Sequence, residues 1–448
     1  MPDLFFGGGL NQRDDFNIDA EECIEGQNFV LDGKARTFKP RKPFDLFATM
    51  PNGSLVSGIM QLIKRDNTDT LLVTAGSTVY SVSDTGTATG VGTINTSTGM
   101  RSSYWSLDDQ LTVTDLNLNN VLHKWNGTSF SKNGHGIGDG TVRTATGLNY
   151  SGSTATLTYT AHGLSANDLV TVDTTEFLVT TSTTDTFSYE STTTAAGLPT
   201  FEKSVDLYAK YSLVYGGRTW LFNIKTDTNE NPHMILVSEF ENTESYDIAT
   251  RAGTQTASGL TGNEAFFMLS PDMRPINGAV LFYNTIVFST VDGQLFRLTG
   301  SSPADYEIVP FYPESEATGT ETMAVSGNDI TYIKKGGDID TVSSTEKFGD
   351  VKADDLSRFI PTETNGLSDA ISVYHQRDQR VFFFITDKIL VLDKNMLFER
   401  PEISPWTVFK TQHPNNFNTN AASYIRKPGS AEYDIYFGDS SGKIYKIY

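Results

Sequence analysis

Six histidines, three pairs of adjacent aspartates and one run of alternating glycines are the residues of this chain whose types suit chemistry. His123, His135, His162, His233, His375 and His413 are scattered, and no two stand at a metal-ligand spacing such as i and i+4. His162 falls in Ala161-His-Gly-Leu164, a turn-like context that favours a structural role. Asp14 with Asp15, Asp108 with Asp109, and Asp354 with Asp355 offer paired carboxylates. Glycoside hydrolysis needs two carboxylates across one bond, but adjacent acids in loops are more often solvated charge. Asp338 and Asp340 are spaced to touch calcium, yet no matching twelve-residue loop surrounds them. Residues 134–140 alternate glycine with other residues, as a phosphate cradle does, but no Lys-Ser/Thr follows, so the stretch reads as a hinge. No Gly-x-Ser-x-Gly elbow occurs. The chain is therefore expected not to be an enzyme and to carry no cofactor and no metal.

The elements around these residues repeat. A strand, a Gly/Asp/Asn turn and a second strand ending in an aromatic or Leu recur at 70–80, 110–125, 212–222, 284–298, 329–337, 380–392 and 431–448. Short apolar strands precede most copies. Those starting at 278, 323, 370 and 422 are separated by 45, 47 and 52 residues. A period of roughly 40–50 residues with several strands per copy marks propeller blades. The expected fold is all-β: a β-propeller of about seven blades, with six or eight as alternatives, and a small β-domain inserted between blades. A strand near 36–47 is expected to complete the last blade.

The expected domains are an N-terminal arm and closing strand (1–54), a first set of blades (55–140), the inserted β-domain (141–205) and a second set of blades (206–448). Within the arm, 27–38 reads as a hairpin with an Asp32-Gly33 turn, and Asp19 as a helix cap. Lys34, Arg36, Lys39, Arg41 and Lys42 form the one basic cluster. It guards a strand edge with charge and proline, or it docks an acidic partner such as another copy of the chain. Residues 83–100 and 225–232 read as long loops, and 352–359 as the only plausible helix. The insert is threonine-rich, with Arg143 and Lys203 near its ends, and shows four short strands at 155–159, 168–172, 177–180 and 185–189. Removing its 65 residues shortens the step from 110 to 212 from 102 to 37.

Composition bounds the partners. The hydrophobic fraction is 38% with 28 Phe and 19 Tyr, a folded composition. No run of about 18 apolar residues is present, so no spanning helix is expected. The N-terminus lacks the basic and cleavage features of a signal peptide. One cysteine, Cys23, forms no intrachain disulfide and fits synthesis in a reducing cytoplasm. A net charge of −20 disfavours binding to nucleic-acid phosphates. An acidic wall would instead let DNA slide past without sticking.

Three stretches carry a resemblance. The first is the opening: Gly8-Gly-Leu-Asn-Gln-Arg-Asp-Asp15, Cys23-Ile-Glu-Gly-Gln-Asn-Phe-Val30 and Arg36-Thr-Phe-Lys-Pro-Arg-Lys-Pro43. The second is Ala161-His-Gly-Leu-Ser-Ala-Asn-Asp-Leu-Val-Thr-Val172 with Asp185-Thr-Phe-Ser-Tyr189. The third is Ala370-Ile-Ser-Val-Tyr374 through Phe384, with Leu390-Val-Leu-Asp393 and Pro405-Trp-Thr-Val-Phe409. Together the chain resembles the propeller-type tail nozzle, hub or stabilisation proteins of short-tailed bacteriophages. That resemblance implies a virion protein made in the host cytoplasm. It would form a homo-hexameric ring around a DNA channel, join portal or adaptor ring proteins, and mount tail fibres or spikes. Two other readings stay open. Aromatic and acidic residues suit a carbohydrate-binding or carbohydrate-cleaving propeller, and the blades alone suit a general interaction propeller. Gly216-Gly-Arg-Thr-Trp220 is similar to the end of a sialidase repeat but lacks its Ser and Asp.

Overall fold

A computed structural model describes residues 28–447, apart from 33–36, 134–140, 192–196, 247–249, 252–262, 345–350, 400–403, 411–417 and some shorter gaps. Strands are nearly the only regular secondary structure among the described residues, and they form the sheets of a seven-bladed β-propeller. Asp19, Gly33 of the expected Asp32-Gly33 turn and the glycine run at 134–140 lie outside the described residues.

Each blade is an antiparallel meander built for burial on both faces. In the sixth blade, strands Ile371–His375, Arg380–Phe384, Lys388–Asp393 and Trp406–Lys410 pair in chain order. Val381, Phe382, Phe383 and Phe384 are all buried. A continuous apolar run is what a strand covered on both sides requires, where a half-exposed strand would alternate. The weakest sequence copy is a full blade: Ala324–Ser326, Asp329–Ile333, Ile339–Ser344 and Val351–Asp355.

The chain divides into two compact units. The first holds residues 1–101, 270–299 and 307–448. It contains the first blade (Val56–Ile63, Asp69–Ala75, Thr78–Val82, Ala88–Thr93) and the fourth (Ile276–Phe282, Thr285–Thr290, Leu295–Thr299, Glu307–Tyr312). The fifth, sixth and seventh blades complete it. Its apolar clusters lie between blades, not within them. Val280, Phe282 and Val287 of the fourth blade meet Ile330, Tyr332 and Val342 of the fifth. Val373 and Phe382 of the sixth meet Ile435 and Phe437 of the seventh. A single four-stranded sheet cannot bury its own faces, so each blade depends on its neighbours.

The seventh blade takes three strands from the C-terminus (Ala421–Arg426, Tyr433–Gly438, Lys443–Ile447) and its fourth from Asp45–Thr49. The closing strand thus starts later than the sequence suggests. Thr37–Pro40 is occupied elsewhere, as the partner of Phe29–Asp32 in the expected hairpin. The seam between seventh and first blades is tied by Met50 N–H to Gly442 O (2.7 Å) and Val56 N–H to Asp439 O (3.1 Å). Arg426 adds an ion pair with Asp69 (3.0 Å), and Gln61 bridges Asp69 and the Arg426 backbone.

The second unit, residues 102–269 and 300–306, holds the second blade (from Met100–Ser102 through Leu111–Asp115, His123–Trp125 and Phe130–Lys132) and the third. The third blade is Leu207–Tyr215, Arg218–Thr226, Glu230–Val237 and Phe266–Leu269, with Thr250–Arg251 added in parallel. Between them lies the insert, with seven strands where the sequence suggested four. Arg143–Thr144 and Gly147–Ser151 stand at opposite ends of its sheet order yet are separated by only Ala145 and Thr146. One bent segment therefore pairs with Thr200–Lys203 on one side and Thr154–Thr158 on the other. The sheet closes into a small barrel around Leu157, Val170, Val179, Phe187 and Phe201.

Three local expectations fail for one reason. Residues 88–93 form the fourth strand of the first blade, not a loop. Residues 351–355 form the fourth strand of the fifth blade, followed by a short 3-10 turn, not a helix. The expected loop at 225–232 is mostly strand, since pairing resumes at Glu230. In each case the blade's need for a strand overrides weak local propensity. The one α-helix among the described residues, Lys394–Glu399, was not foreseen. No helix among them is long and apolar enough to cross a membrane.

Candidate functional site

The basic cluster separates on inspection. Lys34, Arg36 and Lys42 lie outside the described residues, and Lys39 sits on the strand Thr37–Pro40. Arg41 is turned into the fold. Its Nε donates to Asn28 Oδ1 (2.8 Å), and its guanidinium lies 4.1 Å from the Phe44 ring centroid and 5.6 Å from that of Phe409. Asn28, at φ 60°, also donates its N–H to Val408 O (2.8 Å) and accepts from Lys410 N–H (3.0 Å). Arg41 and Asn28 therefore pin the N-terminal hairpin to the last strand of the sixth blade.

The residues singled out for chemistry do not converge. His123 is buried and stacked on Phe130, and burial pushes its pKa down to about 4. His162 and His375 are also buried, each accepting a backbone N–H at Nδ1, from Leu164 (3.0 Å) and Asp378 (3.2 Å). His233 lies on a strand of the third blade, and His135 and His413 lie outside the described residues. No group of three metal-ligating side chains occurs among the described residues. Asp340 pairs with Lys334 at 2.7 Å, Asp338 accepts from Ser357 Oγ, and Asp354 and Asp355 are strand residues. Asp14 and Asp15 lie outside the described residues. In the Gly-Gly-Arg-Thr-Trp stretch, Arg218 is buried and donates to Ser238 O (2.6 Å) and Glu264 O (2.8 Å), while Trp220 Nε1 donates to Tyr215 O (3.0 Å).

The main polar convergence in the first unit was not foreseen. Arg101 Nε and Nη2 grip the Glu321 carboxylate at 2.5–2.9 Å. Arg101 also donates to Ser57 O (3.0 Å), Met100 O (2.8 Å) and Asn420 O (3.2 Å). Glu321 in turn accepts from Ser372 Oγ through its backbone O (3.0 Å). One ion pair thus reaches the starts of the first, fifth, sixth and seventh blades. The bidentate fork is a geometry that arginine, and not lysine, supplies.

Two glycines make this approach possible. Gly58 and Gly278 occupy the same place in the first and fourth blades, each after a bulge and each opposite a hydroxyl residue, Thr74 and Ser289. A Cβ on Gly58 would stand 2.6 Å from Met100 O, and one on Gly278 would meet Thr320 N. The segments carrying Arg101 and Glu321 therefore lie directly on these glycines. The repeated pairs Ser57-Gly58 and Asn277-Gly278 were the sequence signal for this hub.

In the second unit, Lys132 on the last strand of the second blade bridges Asp168 of the barrel (2.8 Å) and Asp206 at the entry to the third blade (3.1 Å). Asn133 Nδ2 donates to Thr243 O (3.1 Å). The barrel is thereby fixed to its blades by charge as well as by chain.

No protein-family model matches the chain, and no curated protein matches it. Solved structures do. A virginiamycin B lyase from Staphylococcus aureus is 11% identical over 90% of this chain and 98% of its own, with a TM-score of 0.48. The complex of BBS1N with ARL6DN gives 8% identity, 94% and 97% coverage and a TM-score of 0.46. YCF48 bound to D1 peptide gives 10% identity, 91% and 95% coverage and 0.43. These likenesses concern the fold alone. They also correct one expectation: lyases stand among the similar structures, so this fold gives no ground for excluding catalysis.

Proposed function

We propose that the chain is a ring-forming structural component of the tail of a short-tailed bacteriophage, in a nozzle or hub position. The observation that carries this reading is a propeller closed by the strand Asp45–Thr49 and bearing a barrel whose Asp168 is tied through Lys132 of the second blade to Asp206. Such a pairing gives one module for assembly and a second, firmly held one for mounting fibres or spikes. The net charge of −20 supports passage of DNA without adhesion. In this reading about six copies surround the channel, the ring joins portal or adaptor proteins, and Lys34, Arg36, Lys39 and Lys42 serve docking while Arg41 anchors the arm.

Mass photometry of the full chain at low and high concentration, alone and with adaptor-ring proteins, tests the proposal. A closed multimer, with or without the adaptor, is the expected result. A strict monomer under every condition would overturn it.

A further inference from the structure

Trp105 and Phe240 are 50% and 45% exposed, high values for rings of this size. Both belong to the second unit. Trp105 lies in the connection between the first and second strands of the second blade. Phe240 rests on the equivalent connection of the third blade, the turn at Gly216 and Gly217. A Cβ on Gly217 would stand 2.6 Å from the Phe240 ring. The two blades are in contact, with Ser212 Oγ donating to Thr112 O (3.4 Å). Equivalent connections of adjoining blades leave the same end, so the two rings belong to one surface.

Phe240 is held in place. Its N–H donates to Asn263 O (2.9 Å), Glu241 N–H donates to Gly217 O (2.7 Å), and the Arg218 guanidinium lies 5.9 Å from its ring centroid. Each ring has an acid beside it. Glu241 follows Phe240 at φ 54° and is exposed. Asp108 and Asp109 follow Trp105 in a tight turn closed by reciprocal hydrogen bonds between Leu107 and Gln110 (both 3.1 Å), with φ of 54° and 56°. Glycine or asparagine would adopt those angles more easily.

We infer that this end of the second and third blades binds a neutral oligosaccharide, with Trp105 and Phe240 as stacking platforms and Asp108 and Glu241 as hydroxyl acceptors. The apolar face of a sugar ring fits a fixed aromatic ring at little entropic cost. Carboxylates accept its hydroxyls and repel anionic polymers, which excludes nucleic acid from this surface. Two separate rings offer far less than the roughly 1,200 Å² that a stable protein interface buries. This inference does not rest on the ring assembly proposed above.

The test is an array of neutral and acidic glycans probed with the full chain, followed by saturation-transfer NMR with the strongest oligosaccharide and with maltoheptaose as a neutral reference. Binding to neutral glycans, weakened at least tenfold by Trp105→Ala and by Phe240→Ala and retained in Trp105→Phe, is the expected result. Trp105→Ala should melt as the parent does, whereas Phe240→Ala also loses packing over Gly217 and beside Arg218, so Phe240→Leu, which fills that space without an aromatic face, is the second variant and should bind as weakly as Phe240→Ala. No array signal, binding restricted to acidic glycans, or binding indifferent to both variants would overturn it. So would a part of the tryptophan emission that is lost in Trp105→Phe and that changes with protein concentration but not with sugar, since that marks contact between copies.

Discussion

Arg101 and Glu321, 220 positions apart in the chain, form a bidentate ion pair whose side chains are only about one-fifth exposed. Between them they hold segments that begin several blades. Breaking the pair from one side strands a partly desolvated charge. Glu321→Gln and Arg101→Ala are each expected to cost about 1–3 kcal/mol in urea unfolding, below the 3–5 kcal/mol of fully buried pairs because water still reaches this one. Arg101→Lys should recover less than half of the loss, because one ammonium cannot serve Glu321, Ser57 and Asn420 together. A double replacement by Met and Leu should cost less than the two single losses added, which a double-mutant cycle will read.

Gly58→Ala and Gly278→Ala place a methyl against backbone atoms of Met100 and Thr320. Backbone cannot step aside as a flexible side chain can, so each is expected to lower stability by about 1–3 kcal/mol. Gly90→Ala is the control, since its Cβ would meet only the Thr78 methyl at 4.0 Å. Thermal melting of the three variants separates close approach from strand propensity.

Lys132→Ala should leave both the propeller and the barrel folded but loosen their connection. Faster limited proteolysis between barrel and blades, with little change in melting temperature, is the expected pattern. Cleavage at the parental rate would show that chain connectivity alone holds the barrel.

Acid should weaken this fold through His123. Burial holds its folded pKa near 4, below the unfolded value near 6.5. Between those values the unfolded chain binds a proton that the folded chain refuses, so stability falls as pH drops from about 6.5 to 4. The loss from this residue is roughly 3 kcal/mol at pH 4, at 1.36 kcal/mol per pH unit. His375, also pushed down by burial, acts in the same direction. Urea midpoints measured from pH 4 to 8 should slope downward toward acid, and His123→Phe should flatten that slope.

Much of the architecture was legible because blades repeat. Turn residues and apolar strands recur at a near-constant interval, and even the weak copy at Asp329–Ile333 proved a full blade. The fourth strands were harder to see. Ala88–Thr93 carries glycine and threonine and is at most half-buried, and Val351–Asp355 is rich in charge, so neither shows the apolar run that marks a strand. The barrel's four richest strands were visible, whereas the bend at Ala145 and Thr146 that closes it is a tertiary choice. The hub escaped notice because Arg101 and Glu321 lie in different repeats and neither stands in a motif. Arg41 was counted with its basic neighbours by sequence proximity, but Phe44, Phe409 and Asn28 claim it.

The strand Asp45–Thr49 pairs with Lys443–Ile447, so its partner is made nearly 400 residues later. At about 5–20 residues per second, synthesis leaves that strand waiting on the order of 20–80 s before its edge can be covered. The early blades spend this interval without their final neighbour, and the long-range pairing comes last in any folding order. Production of this protein is therefore governed by timing: slower elongation prolongs exposure of an open strand edge, and a chain truncated before Lys443 has no means of ending it.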